Sequence, residues 1–133
     1  MLKKSYTGFV LGLLVYVAAL MSLALIPEVD EHSVMRLIML MTVWYMAWLS
    51  FHIWRTEQIY WYNGTTYEDA VNAGSDRRKA FAWQHFRLFV FFALLQTLLS
   101  CAACLLGWSE WIDFTFGTVG TIVTACRTIP IKL

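Results

Sequence analysis

Long apolar runs alternate with short polar connectors along the chain. Four of these runs, 8–26, 37–54, 88–107 and 111–126, are rich in Leu, Val, Phe and Trp. Their lengths approach the roughly 17 to 25 residues that a membrane-spanning helix needs. The pattern predicts an all-α polytopic membrane protein, with four transmembrane helices in one antiparallel bundle that forms a single domain over residues 1–133.

Composition points the same way. Hydrophobic residues make up 59% of the chain and charged residues only 14%, whereas a soluble domain has roughly 25% charged residues. The net charge of +1 argues against a nucleic-acid partner, because such binding depends on many Lys and Arg contacts with phosphates. The lipid bilayer is therefore the predicted surrounding, and the plasma (inner) membrane is the predicted location.

The basic residues fall almost entirely on one side of the predicted membrane. Nine of them share one compartment if the chain crosses four times, and Arg36 alone faces the other. The positive-inside rule then places both termini and the connector 55–87 in the cytoplasm. The apolar run at 8–26 exceeds the h-region of a signal peptide, so a retained anchor is expected. The nine residues are Lys3, Lys4, Arg55, Arg77, Arg78, Lys79, Arg87, Arg127 and Lys132.

The connector 55–87 is expected to extend the second and third helices into the cytoplasm as a hairpin. No helix breaker follows Arg55 until Asn63-Gly64, which predicts that the second helix projects two turns beyond the membrane. Pro27 should end the first helix, because proline lacks the backbone N–H that continues a helix.

The rest of this connector carries helix start and stop signals. Thr66, followed three residues later by Asp69, has the form of an N-cap. Gly74 resembles an end signal, so a short helix is predicted between them. From 76 to 107 no residue interrupts the pattern, and one long helix is expected there.

The fourth segment combines glycines with threonines, and the third offers a matching polar strip. Small and hydroxylated residues let membrane helices approach closely, so packing within the bundle or between protomers is one explanation. A pore wall is the other. No ionisable residue was assigned to the middle of a span, which argues against an ion-coupled transporter. The predicted pore or oligomer interface comprises Gln96, Ser100, Gly117, Thr118, Gly120, Thr121 and Thr124.

Basic residues of the connector are candidates for anion binding. Arg77, Arg78, Lys79 and Arg87 lie among aromatic residues, and such juxtamembrane clusters attract anionic lipid headgroups. A phosphate-bearing cytoplasmic ligand or an acidic protein partner is the alternative. In a ring of protomers the cluster would be repeated around an axis and its potential strengthened.

Thiol and imidazole groups offer weaker candidates. Cys101 and Cys104 form a C-x-x-C, similar to the motif of membrane thiol oxidoreductases of the DsbB and vitamin K epoxide reductase types. Those families relay electrons through cysteines in an outer loop, and neither outer loop here has one, so packing is favoured. His52 and His85 are expected at similar depths and could ligate a haem or metal if they faced each other. Interfacial hydrogen bonding explains them more simply.

The sequence therefore favours a homo-oligomeric gated pore or membrane effector without a cofactor or catalytic residues. A non-catalytic structural or regulatory subunit of a larger membrane complex is the alternative. A membrane thiol or haem redox enzyme is the least favoured.

Overall fold

The computed structural model describes residues 2–23, 25–26, 30–62 and 64–133. Within these ranges the protein is all-helical and contains no strand. Its elements are α1 (Thr7–Leu23), α2 (Glu31–Thr56), a 3-10 helix (Ile59–Trp61), α3 (Tyr67–Leu105) and α4 (Glu110–Thr128). Pro27 and Asn63, which were predicted to end the first helix and to interrupt the second, lie outside the described residues.

Two of the helices, α2 and α3, are long and apolar enough to cross a membrane. The core helix of a soluble protein can also reach this hydropathy, but it is mostly buried. Here only 22% and 28% of the most apolar windows are buried, so most residues in these windows are at least partly accessible. The two helices therefore support association with a membrane.

The central contact of the fold joins α2 to α3. Val43 and Ala47 of α2 are buried against Phe89, Phe92 and Ala93 of α3. The two alanines let the helix backbones approach, and the phenylalanine rings fill the space beside them. Helix α4 then packs across both α2 and α3.

A stack of aromatic rings attaches α1 to α2. The Tyr16 ring of α1 lies flat on Tyr45 of α2, with 4.4 Å between centroids. The stack continues through Trp48 and His52 to Trp61 in the 3-10 helix, with neighbouring centroids 5.5–6.0 Å apart. We call these five residues the aromatic column.

Glycines on α1 make room for this column. A Cβ added at Gly12 would lie 2.5 Å from the Trp48 ring, and one at Gly8 would lie 2.6 Å from Nε2 of His52. Both distances are shorter than a van der Waals contact. The glycines therefore let α1 lie directly against the rings.

Both ends of the chain meet the link between α2 and α3. The Tyr60 hydroxyl accepts a hydrogen bond from the Ser5 amide at 2.8 Å and donates to the Ser5 carbonyl at 2.9 Å. The Tyr67 hydroxyl donates to the Leu2 carbonyl at 2.8 Å, and Ile131 packs on the same cluster. We call this the connector end of the bundle. The opposite end, with the α3–α4 turn, is the short-loop end.

Helix α2 ends at Thr56, and the prediction that it projects two further turns is wrong. Glu57 adopts a left-handed backbone conformation, with φ 60° and ψ 19°, which stops the helix. The Glu57 carboxylate accepts hydrogen bonds from Arg78 Nε at 2.9 Å and Nη2 at 2.7 Å, and from Ser75 at 2.7 Å. These contacts hold the turn against α3.

Signals at the start of α3 are confirmed. Thr66 and Asp69 form a reciprocal capping box. Gly74 has φ 77° and ψ 164°, so it breaks the element into a short helix and a long one, as predicted. The long helix ends at Leu105, where Gly107 takes a positive φ of 66°.

Replacing Glu57 should destabilise the protein above pH 4.5 and flatten its acid response. Burial raises the pKa of Glu57, but hydrogen bonds from Ser75 and Arg78 outweigh this effect and hold it below its ordinary value of 4.5. The carboxylate therefore stabilises the fold above that pH, and its contribution is lost as the pH falls through the lower, folded-state pKa. Glu57→Gln leaves partly buried donors unpaired, a loss of about 1–3 kcal/mol.

Thermal unfolding followed from pH 7 to pH 3 measures this effect. The matched control is Glu68→Gln, because Glu68 is exposed on the first turn of α3. Parent and Glu57→Gln should converge in stability at low pH, whereas the control should follow the parent throughout. Parallel curves for the parent and Glu57→Gln would contradict the assignment.

Candidate functional site

A polar cluster is buried inside the bundle near the short-loop end. Gln96 and Asp113 have no exposed surface, and Ser100 is 4% exposed. Asp113 lies in the first turn of α4, which begins from the N-cap Ser109, and its carboxylate accepts a hydrogen bond from the Ser100 hydroxyl. Gln96 Nε2 lies 3.3 Å from the Asp113 carbonyl. These residues, together with Arg36, are named the polar cluster.

Arg36 of α2 provides the positive charge of the cluster. Its Nε lies 3.1 Å from Oδ2 of Asp113, and its side chain is 17% exposed. It also donates to the Trp108 carbonyl in the turn before α4. An ionised carboxylate in an apolar interior is unfavourable unless it is paired and hydrogen-bonded. The pair therefore fixes the start of α4 against α2 and α3.

Beside the Arg36–Asp113 ion pair, whose facing Nε and Oδ2 atoms make no hydrogen bond, one further polar atom of the cluster lacks a partner among the described residues. The Gln96 Oε1 is buried without a hydrogen bond and faces Gly117, where an added Cβ would lie 3.3 Å away. A buried amide oxygen in this position can accept a hydrogen bond from water or from a passing donor. The cluster thus has hydrogen-bonding capacity that its own side chains do not use.

The pairing of Arg36 with Asp113 was not predicted from the sequence. Arg36 was expected on the outer side and no ionisable residue in the middle of a span; Asp113 lies in the first turn of α4 rather than in the middle of the helix, yet it is fully buried. A signal was present, because Asp113 falls within the predicted segment 111–126 and Arg36 directly precedes 37–54. Opposite charges at the same depth on two helices are candidates for a pair.

Below the polar cluster, α4 presents glycines to bulky side chains. The methyl end of Met39 occupies the space where a Cβ of Gly117 would lie, and the Phe92 ring occupies that of Gly120. The absence of side chains thus lets α2 and α3 close directly on α4. We call these four residues the glycine seam.

The predicted threonines of α4 do not all lie on the side of the helix that carries Gly117 and Gly120. Thr118 is exposed, Thr121 is half-buried, and Thr124 is buried. A spacing of three residues advances about 300° around a helix with 3.6 residues per turn, so a three-residue repeat drifts from one face to another. The Thr121 hydroxyl donates to the Gly117 carbonyl at 2.7 Å, so it bonds within its own helix.

A pocket of about 900 Å³ opens at the connector end, between α3 and the end of α4. His85 and Thr128 line it from the two helices, and Tyr62 lines it from the connector. Arg77 and Lys132 supply positive charge. The His85 Nδ1 lies 3.0 Å from the Phe81 carbonyl, and its ring stacks on Tyr62 with 4.2 Å between centroids. We call this the connector-end pocket.

The four predicted anion-binding residues are distributed over three places. Arg78 and Lys79 both reach the Glu57 carboxylate, Lys79 at 3.5 Å, so one negative charge is shared between them. Arg77 lines the connector-end pocket. Arg87 lines a separate groove on α3. The structure therefore does not unite them in one cluster.

The thiols and imidazoles are likewise separate. Cys101 and Cys104 are free and exposed on α3. His52 stacks within the aromatic column, whereas His85 packs on Tyr62. Among the described residues, no three His, Cys, Asp or Glu side chains lie close enough together to hold a metal ion.

Comparisons of the chain with protein-family models, with curated proteins and with solved structures found no match. The geometry of the polar cluster, the glycine seam and the connector-end pocket is therefore the basis for proposing a function.

Proposed function

We propose that this chain is an integral membrane protein with four membrane-crossing helices and both termini in the cytoplasm, and that it acts as a gated pore. The burial pattern supports insertion. Charged and amide side chains of the polar cluster lie inside, while Leu14, Leu98 and Ile122 are among the large apolar side chains that face outward. This distribution suits a bundle surrounded by lipid, where an unpaired polar group would be costly.

The single observation that carries the pore proposal is the order of features along the α3–α4 interface. The polar cluster lies at the short-loop end, the connector-end pocket lies at the other, and the glycine seam separates them. Phe92 and Met39 fill the space beside Gly120 and Gly117, so apolar side chains lie between the two polar regions. We interpret this arrangement as the closed state of a path that runs within one protomer.

Opening would require Phe92 and Met39 to leave the glycine surface. The glycine surface of α4 presents only backbone atoms. A modest rotation of α4, or a rotamer change of the Phe92 ring, would therefore separate this surface from the side chains that pack on it. The Gln96 Oε1 and the Thr121 hydroxyl would then line the path with polar atoms. The connector-end pocket, with Arg77 and Lys132, is the proposed site at which an anionic cytoplasmic ligand or acidic partner biases this equilibrium.

Association of copies is a further part of the proposal. The predicted homo-oligomer would use the outward side of α4, where Thr118 offers a small hydroxylated surface suited to helix contact. Because the proposed path lies inside each protomer, conduction would not depend on an axis shared between copies. No catalytic step or cofactor is proposed, and Cys101 and Cys104 have no part in the mechanism.

Phe92→Ala should open the path. A packed phenylalanine contributes about 3–5 kcal/mol, and losing about 1.4 kcal/mol from the closed state alone changes its ratio to the open state tenfold. We therefore expect ion flux through reconstituted liposomes to rise by at least about tenfold. Phe91→Ala is the matched control, because Phe91 is the neighbouring residue and is 63% exposed on the outward side.

A second substitution tests the polar wall. In the Phe92→Ala background, Gln96→Leu should reduce flux again, because it replaces a polar surface of the path with an apolar one. Equal flux in the parent, Phe91→Ala and Phe92→Ala proteins would contradict the pore. If those proteins also purified with a fixed membrane partner, the non-catalytic subunit would become the better proposal.

A further inference from the structure

An apolar groove with two arginines lies on the outside of the bundle, away from the proposed path. It has a volume of about 760 Å³ and is formed by α3, the end of α4 and the residues that follow it. Trp83, Val90 and Leu94 are among its apolar residues, and Arg87 and Arg127 are its charged ones. We call it the arginine groove.

The charges of the arginine groove are unbalanced. Its lining contains no Asp or Glu, and neither arginine belongs to an ion pair among the described residues. Both side chains are exposed. Two unpaired guanidinium groups that line one groove attract an anion to it. Their planar donor geometry fits phosphate oxygens especially well.

The apolar part of the groove indicates what carries the phosphate. Val90, Phe91 and Leu94 follow Arg87 at i+3, i+4 and i+7, so they continue the same side of α3 away from the connector end. Phe91 and Leu94 are exposed. A small soluble phosphate would leave this surface uncovered, whereas a lipid would place its headgroup at the arginines and an acyl chain along the helix.

In the proposed topology, the arginines of the groove lie at the depth of a lipid headgroup and its apolar residues lie at the depth of an acyl chain. Arg87 directly precedes the third apolar run, 88–107, on the cytoplasmic side, and Trp83 lies one turn before it, at the level where tryptophan prefers the interface. Arg127 lies in the last turn of α4, at the same end. We propose that the arginine groove is a binding site for one anionic phospholipid of the cytoplasmic leaflet. This inference rests on the proposed membrane insertion, but not on conduction.

Lipid retention measured by native mass spectrometry tests the site. The protein is extracted from membranes of equal phosphatidylglycerol and phosphatidylcholine content, and the retained lipids are counted. We expect the parent to keep phosphatidylglycerol, and Arg87→Gln with Arg127→Gln to lower its preference over phosphatidylcholine by at least about tenfold. The matched control is Lys3→Gln with Arg55→Gln, which removes the same charge from exposed residues at the connector end outside the groove.

The outcomes separate the two proposals. Resistance to carbonate extraction is measured first, and a protein that washes off the membrane would refute the insertion on which both proposals depend. If all three proteins are inserted and retain the two lipids in the same ratio, the lipid site alone is overturned. A change of oligomeric mass in the groove variant without a change of lipid preference would assign the groove to a second copy and also overturn it.

Discussion

Asp113→Asn should destabilise the bundle by about 3–5 kcal/mol, because it leaves the Arg36 charge inside the protein without its counter-ion. The guanidinium is only 17% exposed, so water cannot replace the lost carboxylate fully. Thermal or denaturant unfolding in mild detergent, followed by circular dichroism, measures the loss. The whole helical signal should be lost at a lower temperature or denaturant concentration, because the ion pair joins α2 to α4.

The control for this prediction is an exposed contact at the same end. Nδ1 of His32 and Oε2 of Glu110 are 2.9 Å apart, and the His32 side chain is 72% exposed, so solvent screens the contact and Glu110→Gln should destabilise the bundle far less than Asp113→Asn. A double variant, Arg36→Met with Asp113→Asn, should recover part of the stability, because no unpaired charge remains. Equal losses in Asp113→Asn and Glu110→Gln would show that the buried pair has no special role.

Gly120→Leu should also be severely destabilising. The Phe92 ring already occupies the space of a Cβ at this position, so a leucine side chain forces α3 and α4 apart. Overpacking of a tight contact typically costs about 1–3 kcal/mol and sometimes more, and we expect about 3 kcal/mol or more here. The same unfolding measurement applies.

A compensating double substitution across the glycine seam distinguishes a local clash from a general effect of leucine on the helix. Gly120→Leu combined with Phe92→Ala should regain much of the stability, because the ring and the new side chain compete for one space. Thr118→Leu is the matched control on α4, since Thr118 is exposed. If Gly120→Leu were as stable as Thr118→Leu, the close approach at the seam would be disproved.

Features that depend on neighbouring residues could be predicted from the sequence. Thr66 and Asp69 are three positions apart, so their capping box is fixed by local geometry alone. Gly74 ends the short helix for a similarly local reason, its ease in adopting a positive φ. The all-helical class follows from the apolar runs, because each run has the length of a helix and is longer than a typical strand.

Features that depend on distant residues could not be predicted in this way. Glu57 stops α2 because Ser75 and Arg78 hold its carboxylate, and nothing beside Glu57 in the chain indicates that contact. Arg36 and Asp113 form a pair only because α2 and α4 are antiparallel neighbours. The polar cluster therefore depends on how the helices pack against each other, which the sequence pattern alone does not specify.

The ion pair between the second and the last helix also has a consequence for biosynthesis. A ribosome delivers the chain from the N-terminus, so α1 and α2 can complete their ring contacts while α4 is still unmade. In the proposed membrane topology, Arg36 must meanwhile remain near the membrane surface, where its charge is hydrated, because its partner Asp113 has not yet been translated. Arrival of α4 brings Asp113, and only then can Arg36 settle into the interior. Final closure of the bundle should therefore be a late, post-translational step, and a chain truncated before α4 should remain an open intermediate that quality-control proteases recognise.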